Sequence, residues 1–313
     1  MILHTAETIL LDSLLIATPT DANAISRGEL ALVAACDGCV RFPASPEELR
    51  RRDSISAAHR KTLDRRRLEW NQVLVRNAVP AVQLMAGGLT AEQADHFGVP
   101  LEAWARECVR ASLVSPKTLQ KVGKPVARRL ERGRKVMIKH PNGTQLELGL
   151  AGRRPYLDDG AVDEKDRESG WMGTTVPGGY LAVALDERVA EGRVVSNLIS
   201  HSRGTMMSGI DWTFRNGRLV DFKVGRGGIG FETTFRQAGR ERDRPAVLFV
   251  GLNPEVRMFP RVQDQGLGTL GVEIGYNDDY GGRTRGSFRQ FALIRGARLS
   301  IDGERVRWPR GRH

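Results

Sequence analysis

The sequence predicts an α+β protein, with a shortened, mainly helical part over residues 1–135 that begins with a short α/β stretch, and a β-rich part over residues 136–313. Three observations predict it. The apolar spacing is three to four residues before Val136 and two after it. Of the 35 glycines only seven precede residue 140, so turn-forming residues crowd the second part. A 40% hydrophobic share over 313 residues supplies material for one large or two smaller cores.

Taken in order, Glu29 to Phe42 (ELALVAACDGCVRF) reads as a buried strand flanked by helical turns, punctuated by Pro43. A long helix should start at Ser45-Pro46-Glu47-Glu48, where a capping serine, a first-turn proline and two acids meet the positive end of the helix dipole. It should run towards Asn77. Thr90-Ala91-Glu92-Gln93 has the capping-box pattern, and Pro100 to Trp104 opens a further packing helix. From Val136 the run KVMIKHPNGTQLELGL is a hairpin, turning at Pro141-Asn142-Gly143. Further strands are expected at Gly192 to Ile199, Ile210 to Phe214 with Arg218 to Val224 across Asn216-Gly217, Ala246 to Gly251, Gly271 to Tyr276, Phe288 to Ile294 and Ala297 to Ile301.

The 48 basic and 37 acidic side chains leave a formal charge of +11, which favours an anionic partner. The apolar runs, such as Ala246 to Val250, are far shorter than the ~20 residues of a membrane-spanning helix. Three cysteines without a disulfide pattern, and a start (MILHTAETILLDSLL) without a basic segment and apolar core, give a reducing, cytoplasmic setting as the expectation.

Several motifs invite chemistry and are outweighed by plainer readings. Cys36-Asp37-Gly38-Cys39 has zinc-type spacing but lacks a second ligand pair, so packed thiols near a strand end are expected. The six histidines are scattered. Gly225-Arg226-Gly227-Gly228-Ile229-Gly230 resembles a phosphate cradle without the following Lys-Ser/Thr, and a flexible loop is expected there. Arg50-Arg51-Arg52 and Arg65-Arg66-Arg67 could track phosphates, but without a nucleic-acid-binding motif a solvated helix face is expected.

From residue 138 onward the succession IKHPNGTQLELGLAGRR, VPGGYLAVALDERVAEG, LFVGLNP, DQGLGTLGVEIGYN, GGRTRGSFRQFALIR and IDGERV resembles the C-terminal domain of the M29 metallo-aminopeptidases. The ring-cleaving dihydroxypyridine dioxygenases share that layout. The resemblance covers about 175 residues and is one of arrangement, and it implies an M29-like β domain behind a shortened N-terminal part. It also shows what is missing. Where the family has PxGE, this chain reads Pro177-Gly178-Gly179-Tyr180, so Tyr180 stands in place of the first metal-binding Glu. Val247 stands in place of the second Glu and Gly271 in place of a metal-binding His, while Gln290 and Ala292 replace the His and Asp of the last motif. Val, Gly and Ala side chains cannot hold a divalent ion, so neither a metal nor another cofactor is expected.

A scaffold that keeps an extended-peptide cleft without its metal becomes a peptide-binding module. The resemblance and the positive charge therefore point to a non-catalytic protein that binds an acidic precursor or leader peptide in ribosomal natural-product biosynthesis, as in crocagin-type pathways. Because M29 enzymes are typically dimers, a homodimer or a heterodimer with a paralogue is implied. The expected cleft set is Tyr180, Glu273, Arg283, Arg289 and Gln290, with the two arginines as carboxylate partners. On this reading Arg289→Ala weakens peptide binding more than tenfold (~1.4 kcal/mol) and leaves the melting temperature nearly unchanged. The competing reading is an enzyme, a hydrolase or ring-opening oxygenase with a ligand set of His201, Glu255, Asp264 and Glu273. A third is nucleic-acid binding through the arginine rows.

Overall fold

A computed structural model describes residues 27–45, 56–202, 205–257, 260–286 and 288–309. The described chain begins with helix α1 (Arg27–Ala34) and a short strand β1 (Cys39–Arg41). Much of the stretch expected as one strand is thus helical. Its Glu, Leu and Ala residues are strong helix formers, and a short apolar run does not by its period distinguish helix from strand. Helix α2 (Ala57–Arg76) is capped by Ser56, whose hydroxyl accepts from the His59 amide at 3.2 Å, and it ends at Asn77 as expected. Residues 46–55, where that helix was expected to start, lie outside the described residues, as do Arg50-Arg51-Arg52.

Strand β2 (Ala81–Leu84) leads to α3 (Ala91–Phe97), where Thr90 Oγ1 accepts from the Gln93 amide at 3.2 Å. Helices α4 (Leu101–Ser112) and α5 (Pro116–Arg132) follow, the latter capped by Ser115 and begun by Pro116. Gly123 lets α5 close on its neighbours, since a Cβ there would lie 2.8 Å from methyl carbons of Leu157 and Leu252. The expected hairpin is β3 (Lys135–His140) and β4 (Thr144–Leu150), followed by β5 (Tyr156–Asp158), α6 (Glu164–Glu168) and β6 (Gly173–Val176).

Strand β7 (Tyr180–Val195) has 16 residues. After β8 (Ser200–Ser202) and β9 (Thr205–Met207), strands β10 (Asp211–Arg215) and β11 (Arg218–Lys223) form the expected hairpin, with Asn216 and Gly217 both at positive φ. The glycine run is not a loop throughout: Gly227 caps helix α7 (Gly228–Gln237). Gly228 and Gly230 are poor helix formers, and burial of Phe231 and Phe235 on successive turns against Trp212, Phe222 and Phe288 overrides that propensity. The chain closes with β12 (Pro245–Gly251), β13 (Leu270–Gly275), β14 (Arg289–Ile294), β15 (Arg298–Ile301) and β16 (Glu304–Arg305).

Two compact units result. The first comprises the described residues up to Ala105 with Gly160–Val176, and the second Arg106–Asp159 with the described residues from Pro177 onward. The first unit carries a parallel sheet in the order β1-β2-β6, making it α/β rather than mainly helical. The division falls at Ala105/Arg106 instead of residue 135, because α5 buries Leu119, Val126 and Leu130 in the core of the sheet unit.

The second unit is built on an 11-stranded antiparallel sheet whose main path runs β14-β13-β12-β7-β4-β3-β15-β16, with β8 and β9 paired separately. Strand β7 spans it, pairing with β5 and β12 through its first residues and with β4 and β10 through its last. One face of the β7-β12-β13-β14 section, with Val183, Leu248, Val272 and Ile294, belongs to the main core. The opposite face holds the site described next.

Candidate functional site

Strand alternation assigns each side chain to a face. Val247 and Phe249 of β12 pair with Ala184 and Ala182 of β7, and Gly251 with Tyr180, so these share one face. Phe249 pairs with Gly271 of β13, and Glu273 and Gly275 pair with Phe291 and Arg289 of β14, extending the same face across the sheet. Strand β5 adds Tyr156 and Asp158, opposite Ala182 and Tyr180.

Aromatic rings cover this face. Tyr180 lies 6.1 Å from Tyr156 and 5.6 Å from Phe249, and Phe249 lies 5.9 Å from Tyr280 (ring centroids). At the β14 end Arg289 stacks its guanidinium 4.6 Å from the ring centre of Tyr276 and 5.1 Å from that of Tyr280. All four tyrosines of the sequence lie along this line.

The charges are closely matched. Arg289 Nη2 donates to Glu273 Oε2 at 2.7 Å, and Nη1 to Asp279 Oδ2 at 2.5 Å. Burial raises the Glu273 carboxyl above its ordinary range, and Arg289 partly offsets the rise. Burial opposes the charge on Arg289, but Glu273 and Asp279 overcome it and hold the guanidinium charged. Burial pushes the Tyr180 phenol well up, with Tyr280 and Asp158 adding to it, so it is protonated at neutral pH. Burial pushes the Asp264 carboxyl up to about 6 against the backbone amides of Asp264 and Gln265.

The expected cleft set is brought together only in part. Tyr180, Glu273 and Arg289 share the face. Gln290 does not, because it is adjacent to Arg289 in a strand and points the other way; it is 2% exposed, and its Nε2 lies 3.2 Å from Ser200 Oγ. Arg283 is exposed and contributes its main chain instead, donating its amide to Glu187 Oε1 at 2.8 Å. The role of carboxylate partner also fails for Arg289, since two internal carboxylates already occupy it.

Glu187 is the residue that pattern reasoning missed. It receives Arg153 at 2.8 and 3.0 Å and Asn277 Nδ2 at 3.0 Å, besides the Arg283 amide. Burial would raise its carboxyl, yet Arg153 and these amides hold it down to about 2. Asn277 in turn accepts from the amide of Thr284 at 3.0 Å. The loop bearing Tyr276, Asp279 and Tyr280 is thereby tied to β7.

The side chains at the vacated ligand positions do not fit a divalent ion. Val247 and Gly271 offer no donor, Tyr180 keeps its proton, Ala292 lies on the other face, and both carboxylates beside Arg289 are bound to it. Of the alternative ligand set, Glu255 pairs with Arg110 at 3.6 Å, and the His201 side chain lies outside the described residues. Among the described residues no group of three or more His, Cys, Asp or Glu is placed to hold a metal. Cys36 and Cys39 are half-buried free thiols beside Val33, Leu74, Val79 and Ala81, and Cys36 Sγ donates to the Leu32 carbonyl at 3.2 Å.

No protein-family model matches the sequence, and no curated protein matches it. Solved structures do. AmpT from Thermus thermophilus, an M29 aminopeptidase, superposes with a TM-score of 0.66 at 16% identity, over 97% of this chain and 84% of that one. The 2,5-dihydroxypyridine dioxygenase from Pseudomonas putida KT2440 does so with a TM-score of 0.54 at 14% identity, over 90% and 96%. At such identities the likeness is one of architecture, and the architecture of this chain is the M29-like α+β fold.

Proposed function

We propose that this chain is a non-catalytic peptide-binding protein on an M29-like scaffold. One observation carries the reading: at the β14 end of the face two neighbouring carboxylates, Glu273 and Asp279, are both held by Arg289, so a fixed side-chain cation takes the charge that an ion would supply there. What remains open to a ligand is the line of half-buried rings Tyr180, Phe249, Tyr276 and Tyr280. Such rings receive apolar side chains and peptide planes with little loss of rotamer freedom. The ligand on this reading is a ribosomally made precursor or leader peptide, bound in the cytoplasm by a dimer of this chain or a dimer with a paralogue. No described helix is long and apolar enough to cross a membrane.

Native mass spectrometry of protein purified without chelator tests the proposal, repeated with a library of peptides and after incubation with zinc, manganese or ferrous iron. The expected result is one peptide per subunit, no stoichiometric metal, and no release of chromophore from amino-terminal amide substrates. One tightly held metal per subunit together with turnover would overturn it in favour of the enzyme reading.

A further inference from the structure

The described cation of the aromatic face, Arg289, is already paired with two carboxylates, and the structure places other exposed cations elsewhere. Helix α5 exposes Lys117, Lys121, Lys124 and Arg128. At 3.6 residues per turn these four fall within about 60° of the helix circumference and extend over ~16 Å. Leu119, Gly123, Val126 and Leu130 lie directly opposite and are buried, so packing fixes the row towards solvent.

The row is not neutralised by the protein. Lys124 Nζ donates to the amide oxygen of Gln120 at 2.6 Å, and Arg128 Nε to the Lys124 carbonyl at 3.4 Å. None of the four pairs with a carboxylate among the described residues. Other exposed cations of the same unit are paired, as in Lys135–Glu147 at 2.7 Å and Arg218–Asp243 at 2.8 Å, while Arg215, Lys223, Arg226 and Arg298 are exposed singly and form no comparable row on one helix. The row also works against its own helix: Lys117 stands in a first turn that has no acid, and three successive like-charge neighbours sit three or four residues apart. A shallow groove of ≈ 290 Å³ runs among these side chains, lined also by Gln120 and Pro125.

We propose that the α5 row is an electrostatic docking surface for an acidic segment of a peptide partner. Its width favours a single chain over a nucleic-acid duplex. Thr118, Gln120, Pro125 and Ala127 flank most of its length without charge, with Glu131 and Arg132 beside its last turn alone, so the row presents one main line of positive charge, whereas a duplex presents two phosphate strands across a groove ~12 Å wide. Acids at alternate positions of an extended peptide recur every ~6.7 Å, and the flexible lysine arms match this to the helix spacing. The inference does not depend on the aromatic face, which has none of these residues.

The test uses the full chain and a fluorescein-labelled peptide of six Glu-Ser repeats, with oligothymidylate and a short DNA duplex as competing probes. In K117Q/K121Q/K124Q/R128Q, affinity for the acidic peptide should fall at least about tenfold at low salt, each exposed contact contributing roughly two- to fivefold. In R215Q/K223Q/R226Q/R298Q, which removes four exposed cations elsewhere in the same unit, it should change less than about threefold. The row variant should melt at an unchanged or higher temperature, because repulsion within α5 is relieved. Equal weakening in both variants would reduce the effect to net charge and overturn the proposal. Tighter, row-dependent binding of either nucleic acid would overturn it in favour of that ligand. A lower melting temperature of the row variant would assign the row to the fold instead.

Discussion

Replacing Glu187 by Gln tests whether one carboxylate holds the site loop in place. Gln keeps the shape and one acceptor oxygen but removes the charge that faces Arg153, whose side chain is only 13% exposed. The Glu187 carboxyl falls from an ordinary 4.5 to about 2 in the folded protein. Converted directly, such a shift is ~3.4 kcal/mol, and solvent screening at the partly open side reduces it to ~2 kcal/mol. Because the folded value is the lower one, this stabilisation is fully present above pH ~4.5 and is lost as the pH falls towards 2. For a unit of this size ~2 kcal/mol lowers the melting temperature by about 4–8 °C. Calorimetric melts of both proteins at pH 7 and pH 3 should show that difference at pH 7 and less than half of it at pH 3. Tyrosine fluorescence should also report a looser environment for Tyr276 and Tyr280 in the variant at pH 7. A difference below about 2 °C at neutral pH, or one that is the same at both pH values, would refute the placement of Glu187 as the anchor.

Three further outcomes are expected. Arg289→Met should lower stability at pH 7 by ~3 kcal/mol, by leaving Glu273 and Asp279 facing each other uncompensated, and adding Glu273→Gln should recover part of the loss in denaturant titrations. Asp264→Asn should raise the melting temperature at pH 7.5 and leave it unchanged at pH 4. A carboxyl raised to about 6 opposes folding increasingly above the ordinary 3.8 and fully above 6, and Asn removes that penalty. Gly123→Ala should destabilise by ~1–3 kcal/mol through overlap with Leu157 and Leu252, measured by urea unfolding, whereas Ala at the exposed, unobstructed Gly230 should not.

The first of these reverses an expectation drawn from sequence. Arg289→Ala read from sequence as a change that spares stability, because a strand arginine beside a vacated ligand position suggests a free cation. Its carboxylate partners lie 16 and 10 residues away, and no period or spacing connects them. Gln290 failed for a simpler reason, since neighbours in a strand face opposite ways and a motif match does not say which faces the cleft.

The hairpins were legible because Asn142-Gly143 and Asn216-Gly217 specify tight turns locally. Helix α7 was not, because its stability rests on Phe231 and Phe235 meeting rings from β10, β11 and the segment before β14. The tyrosine line was hidden for the same reason: Tyr156, Tyr180, Tyr276 and Tyr280 are spread over 125 residues and meet only through strand pairing.

Strand β7 also constrains the order in which the second unit can be completed. Its first residues find one partner upstream, in β5, and another downstream, in β12, which begins some 50 residues after β7 ends. During synthesis the Tyr180–Ala184 segment therefore has an unpaired edge until β12 has left the ribosome. A nascent chain ending before Pro245 would expose that apolar edge as a template for strand addition by other chains. Truncations that stop short of β12 are accordingly expected to aggregate, whereas removal of the short β16 leaves every pairing of β7 intact.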